Sequence, residues 1–262
     1  MTVLVRGSSV SRWLMIGIGA CAAGYGALAT AAWARYGKPA RPGGAEGDVL
    51  LDRFMPAYDV VERHCIWVNA SADITFAAAG EQDLLRSPVI RAIFKARELA
   101  LGASPDTRAQ PHGLLATMQS LGWGVLAEAP GREIVVGAVT RPWEANVTFH
   151  ALPADQFAAF RDPGFVKIVW TLRVDPHGTN GTVFRTETRA VATDPDARAK
   201  FRRYWAFASP GIAAIRWLSL WPLKRDAERR ASELRGNGAG KALPRSSQSP
   251  CHGSLPIRVL RG

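Results

Sequence analysis

Five histidines are the side chains best suited to metal or proton chemistry: His64, His112, His150, His177 and His252. No two stand at metal-ligand spacing, and the cysteines Cys21, Cys65 and Cys251 are odd in number and far apart. Neither a zinc site nor a disulfide framework can be built from them. His112 and His177 fall in turns; His64 and His150 fall in strands, where a structural histidine is the commoner outcome. The chain has no G-x-S-x-G elbow, phosphate-binding loop or dinucleotide fingerprint. Glu187 stands between Arg185 and Arg189 on one strand face, which reads as a surface charge ladder more readily than as an acid catalyst. Arg141-Pro142-Trp143-Glu144 lies at a strand end, either as a capped turn or at a cavity mouth. Asn69, Asn146 and Asn180 open N-x-S/T triplets, which matter only in a secreted eukaryotic chain. No residue is identified as catalytic, and neither a metal nor a cofactor is expected.

The charge distribution excludes another class of function. The chain of 262 residues carries a net charge of +11, but residues 1–41 and 235–262 hold five basic residues each and no acid. The intervening stretch balances 23 basic against 22 acidic side chains. A nearly neutral domain with basic ends is a poor nucleic-acid binder.

The elements fall in a definite order. Between Arg12 and Arg35 lie 22 uncharged residues, with Trp13 and Trp33 at the ends. As a helix they span about 33 Å, enough for a bilayer core with aromatic residues at both interfaces. Two other readings compete. Ala29-Thr30-Ala31 and Ala32-Trp33-Ala34 are possible signal-peptidase sites, and Cys21 after Ile18-Gly19-Ala20 could mark a lipoprotein signal. The length of the apolar run favours an uncleaved single-pass anchor. Basic residues flank it on both sides, so orientation is nearly balanced; the domain is placed on the cytoplasmic side of a bacterial inner membrane. Gly19, Ala23, Ala27 and Ala31 form a small-residue stripe that composition alone explains.

Residues 1–36 are therefore read as the anchor, 37–49 as a Gly/Pro-rich linker, 50–234 as the folded domain, and 235–262 as a disordered basic tail. Within the domain, 59–68 reads as a strand. Helical segments follow Ser71 and Pro88. Strands are expected over 123–129, 132–140, 145–152, 165–174 and 182–193. Asp194 then caps a helix that Pro210-Gly211 interrupts and Pro222 kinks again, ending near Leu234. Helices followed by a run of antiparallel strands and a final helix make an α+β fold.

Strand parity puts Val166, Ile168, Trp170 and Leu172 on the face shared by Phe184 and Thr186, toward the last helix. Arg185, Glu187 and Arg189 fall on the other face and are expected in solvent. Phe201 and Trp205, Ile212 and Ile215, and Trp217 and Trp221 recur at helical spacing. They either pack a core or wall a pocket.

The run VKIVWTLRVDPHGTNGTVFRTETRAVATDPDARAKFRRYW, continued by a kinked helix to AERRA, resembles the SRPBCC superfamily, which includes START-like lipid-binding domains and polyketide cyclases. The strand ending WVNASADITFAAA is similar to that family's first strand and helix, with Ser71 where a proline is usual. The resemblance covers roughly residues 58–230. It implies a helix-grip fold, a curved antiparallel sheet around a long final helix, with an apolar cavity between them. The expected function is a membrane-tethered domain binding a small hydrophobic ligand, lipid or polyketide-like. Trp123, Trp170, Phe184, Thr186, Trp205, Ile212 and Ile215 are the candidate lining. A cyclase or aromatase would need ionisable groups turned into the cavity; an interaction module would fill it with its own side chains. The anchor reading predicts an intact amino terminus for the membrane-bound chain. A mature chain beginning near Ala32 in intact-mass measurement would establish cleavage instead.

Overall fold

The computed structural model describes residues 8–39, 47–104, 111–178 and 181–237. Residues 238–262 of the tail, with Cys251 and His252, and Asn180 lie outside them. The elements are α1 (Ser8–Arg35), α2 (Val49–Asp52), β1 (Val60–Val68), α3 (Ala72–Gly80), α4 (Pro88–Leu101), α5 (Leu114–Ser120), β2 (Gly124–Ala129), β3 (Glu133–Thr140), β4 (Phe149–His150), α6 (Ala154–Ala159), β5 (Val166–His177), β6 (Gly181–Ala192) and α7 (Pro195–Asn237). The strands form one antiparallel sheet in the order β1-β6-β5-β3-β2, with β4 paired to the far end of β3. This is the expected α+β helix-grip arrangement. The strand expected over 145–152 is reduced to the two residues of β4.

Local chemistry sets the ends of the elements. Ser87 Oγ accepts from the Ile90 amide and Pro88 occupies the first turn of α4, while Gly102, at φ 67°, closes it in the left-handed conformation. Asp194 Oδ1 accepts from the amides of Asp196 and Ala197, starting α7 where expected. Gly122, at φ 97°, is required twice: a Cβ there would lie 2.1 Å from the Phe149 carbonyl oxygen.

The inner face of the sheet carries Ile134, Val136, Trp170, Leu172, Val174 and Phe184, packed on Leu220, Leu223, Ala227 and Ala231 of α7. A second cluster joins Val60, Val166 and Ala190 to Phe201 and Trp205. These contacts follow one stripe along α7, at 201, 205, 212, 220, 223, 227 and 231. The helix is continuous through Pro210 and Pro222, contrary to the expected interruption. An interior proline costs about 3 kcal/mol, whereas burying each large apolar side chain contributes about 1.5–3 kcal/mol. Packing along the stripe outweighs both prolines.

The outer face departs furthest from expectation. Arg185 is half-buried, Glu187 is 6% exposed and Arg189 1%, so the ladder is not in solvent. Leu51, Phe54 and Met55, in and just after α2, and Phe157 of α6 cover this face against Val135, Val139 and Val169. The apolar run around α2 is too short to show a period, which is why the cover was not legible. The charges it buries are paired. Arg63 donates to both Glu187 oxygens at 3.0 Å, and Arg189 Nε donates to Glu187 at 2.7 Å. Arg189 Nη1 reaches Asp52 and the Met55 carbonyl. Lys167 donates to the Ala158 carbonyl over the Phe157 ring, and burial lowers its ammonium to about 8.

The amino-terminal half of α1 stands clear of the domain: Trp13 is 71% exposed, and Met15–Arg35 is long and apolar enough to cross a membrane. The side chain of Leu14 lies outside the described residues. The other end docks. Tyr25 donates to the Phe207 carbonyl and meets its ring edge-on, Arg202 caps the Trp33 carbonyl, and buried Tyr36 donates to Asp59.

Removing Glu187 leaves two guanidiniums sharing no carboxylate on a covered face. Glu187→Ala is expected to destabilise the fold by about 3 kcal/mol, read from urea midpoints at constant slope. A loss below about 1 kcal/mol would show that Asp52 and Met55 suffice.

Candidate functional site

Register carries the polar residues of β1 inward. Glu62 pairs with Thr188 and His64 with Thr186, so all four share the face that α7 covers. From the helix, Arg216 Nη2 donates to Thr188 Oγ1 at 2.9 Å and Nη1 to Thr186 Oγ1 at 3.4 Å. Its guanidinium lies 5.4 Å from the centre of the Trp170 ring. No carboxylate is within ion-pairing distance of Arg216 among the described residues. His64 Nε2 stands 3.7 Å from Glu62 Oε2 and has no hydrogen-bond partner.

The site is not sealed. Ile168 and Thr188 belong to the interior strands β5 and β6 and face α7, yet both are only partly buried. The Glu62 side chain retains 24% exposure and that of His64 13%. Interior-strand residues on a covered face keep accessible surface only where the covering helix leaves a gap. Ile168 borders both hydrophobic clusters, so the gap falls between them.

Electrostatics follow from this half-buried position. Burial raises the Glu62 carboxyl to about 7, opposed by the Arg216 and Arg35 cations. Burial, reinforced by Arg216, lowers the His64 imidazole to about 4. Desolvation lowers Arg216 to about 10, against the attraction of Glu62. Near neutrality the site therefore holds a cationic guanidinium, a neutral imidazole and a carboxyl close to half protonation. It can donate to a polar head through Arg216 and exchange a proton through Glu62.

The candidates read from the sequence separate into groups. Thr186 binds Arg216 directly, and Trp170 is the floor beneath it. Ile212 joins the amino-terminal cluster and Ile215 is half-buried beside Arg216 in the chain. Trp123 packs against Phe149 and Trp170, with ring centres 4.9 and 6.3 Å apart, and Phe184 lies in the same filled end. Trp205 packs at a tilt against Phe201 in the amino-terminal cluster, ring centres 5.9 Å apart. The sequence alone points to none of Glu62, Thr188 and Arg216, and reads His64 as structural. One signal is present: Arg216 is the lone charge in the apolar stretch 211–221, whereas the polar run Glu62-Arg63-His64 in β1 gives no alternation to read.

No family model matches the chain, and no curated protein matches it. Solved structures do. A norcoclaurine synthase from Thalictrum flavum, in complex with dopamine and hydroxybenzaldehyde, is 14% identical over 75% of this chain and 99% of its own, with a TM-score of 0.29. A START superfamily protein from Mycobacterium smegmatis is 12% identical over 67% of this chain and 98% of its own, at 0.24. The hypothetical protein jhp0584 from Helicobacter pylori is 6% identical over 69% and 93%, at 0.33. Likenesses this weak carry no argument about the site.

The two shifted groups oppose each other in a stability profile. Between about 4.5 and 7 the fold binds the Glu62 proton that the unfolded chain has released, so this group's contribution falls as pH rises. Between about 4 and 6.5 the unfolded chain binds the His64 proton that the fold excludes, so that contribution rises with pH. Relative to the parent chain, Glu62→Gln should gain stability as pH rises through its window, and His64→Gln as pH falls through its own. Parallel urea-midpoint curves would contradict the assignment. By its own strand order, register and terminal helix, the chain has the helix-grip fold that its resemblance to the SRPBCC superfamily implies.

Proposed function

We propose that this chain is a membrane-tethered domain that binds a small amphipathic ligand between the sheet and α7. Residues 1–36 form the anchor, 37–49 the linker, 50–234 the binding domain and 235–262 a basic tail. The domain faces the cytoplasmic side of a bacterial inner membrane. The observation that carries this reading is Arg216, whose half-buried guanidinium reaches Thr186 and Thr188 beside the partly exposed Ile168 with no carboxylate in ion-pairing distance among the described residues. Burying such a cation is costly unless a counter-charge or strong acceptor arrives with the ligand. The ligand's polar end meets Arg216, Thr186 and Thr188; its apolar body lies against Trp170, Ile168, Ile212 and Ile215. Trp123, Phe184 and Trp205 support this wall from the clusters on either side. A lipid or polyketide-like acid has the required chemistry.

A second reading, a cyclase or aromatase, is favoured by one observation. Glu62 and His64 are adjacent, turned inward and shifted in opposite directions, the arrangement expected of an acid–base pair.

Native mass spectrometry of the full chain purified in mild detergent tests both. The parent should carry a small-molecule adduct, and Arg216→Met should lower its occupancy at least roughly tenfold, the scale of a charge-assisted hydrogen bond. If Glu62→Gln retains an adduct of different mass from the parent's, the domain transforms its ligand. A parent chain without adduct, and without saturable tryptophan fluorescence change on titration with fatty acids and aromatic polyketides, would leave an interaction module with a filled core.

A further inference from the structure

A second site lies outside the sheet, at the root of the anchor. A groove of about 550 Å³ runs between α4 and α7, lined by Ala100, Leu101, Trp143, Lys200, Arg203 and Phe207. Its wall is braced: Arg97 donates to the Tyr204 hydroxyl and to the Pro142 carbonyl, tying α4, α7 and the segment after β3 together. Its floor is apolar and aromatic, and its two cations stand at the rim. Lys200 sits 6.0 Å from the centre of the Trp143 ring. Neither Lys200 nor Arg203 has a carboxylate within ion-pairing distance among the described residues.

Position selects the occupant. Phe207 lines the groove and also meets Tyr25 of α1, so one side chain separates the groove from the helix that is long and apolar enough to cross a membrane. The same end of α7 presents Arg202 against Trp33 and Arg198 beside Tyr36, and α1 ends in Arg35. A basic collar with interleaved aromatic rings, set at the end of a membrane span, matches the headgroup layer of an anionic bilayer. A free phosphate would use the cations and leave the apolar floor wet; a neutral lipid would use the floor and leave the cations unpaired.

We propose that this groove seats one anionic phospholipid of the bilayer that α1 crosses. Its phosphate pairs with Lys200 and Arg203, and the start of an acyl chain lies on Leu101, Trp143 and Phe207. The site rests on the membrane-tether reading and is separate from the Arg216 site.

The test uses the full chain in phosphatidylcholine nanodiscs with and without phosphatidylglycerol, followed by native mass spectrometry. The parent should retain one phosphatidylglycerol and no phosphatidylcholine. Lys200→Gln combined with Arg203→Gln should reduce retention roughly tenfold, the scale of a lost charged contact. Ala100→Trp, which fills the floor and leaves both cations, should reduce it as well. Arg216→Met should leave it unchanged. Equal retention by the parent and the double variant, equal retention of both lipids, or displacement by inorganic phosphate would overturn the proposal. Extraction of the chain from membranes by alkaline carbonate would instead defeat the tether reading beneath it.

Discussion

One helix has to cover the inner face of a five-strand path, and the rest of the molecule depends on how far it succeeds. At its carboxy-terminal end α7 meets Trp170, Leu172 and Phe184 through Leu220 and Leu223; at its amino-terminal end Phe201 and Trp205 meet Val60 and Val166. Between these two seals the helix presents Ile212 and Arg216, and the strands beneath present Ile168, Thr188, Glu62 and His64. Close packing is interrupted there because charged and hydroxyl groups face one another across the layer. A protein interior tolerates such groups only with partners or solvent. Among the described residues two buried polar atoms lack a hydrogen-bond partner, His64 Nε2 on this face and Glu133 Oε1 on the other.

The outer face obeys the same rule with the opposite outcome. Arg63, Glu187, Arg189 and Asp52 are charged, but each finds its counterpart within hydrogen-bond distance. The segment around α2 can therefore lie across them. Both surfaces of the sheet are covered: on the inner one Arg216 meets two threonine hydroxyls, and on the outer one Lys167 meets a backbone carbonyl. The two kinds of polar cluster are told apart by partner geometry rather than by residue type. Glu187 and Glu62 are both acids in strands. The first is held by two guanidiniums, and the second is pushed toward its neutral form by burial.

The carboxy-terminal half of α1 docks on the amino-terminal part of α7 at Tyr25 and Trp33, and Tyr36 just beyond it continues the contact. Tyr36, Asp59 and Arg198 lock the end of α1 to the start of β1 and to the first turn of α7. The apolar helix α1, the basic residues at its end and the helix that covers the inner face of the sheet therefore share one junction. Glu62 feels the charge of Arg35 across it.

Local signals settled much of this in advance. The uncharged run of α1, the hairpin of β5 and β6, the Asp194 cap and the stripe of α7 all follow from side-chain periodicity and capping chemistry, which act within a few residues. The α+β class and the inward parity of Trp170, Phe184 and Thr186 follow as well. Three things depended on tertiary packing. The burial of Glu187 and Arg189 required the short α2 segment to return across the sheet, a contact between residues more than a hundred positions apart. The continuity of α7 through Pro210 and Pro222 required a sheet to pack against, since local propensity argues the other way. The site itself required register: Glu62 and His64 become neighbours of Arg216 only when β1 pairs with β6 and α7 folds back over them. Those residues lie roughly 150 positions apart in the chain, and no local pattern encodes a distance of that kind.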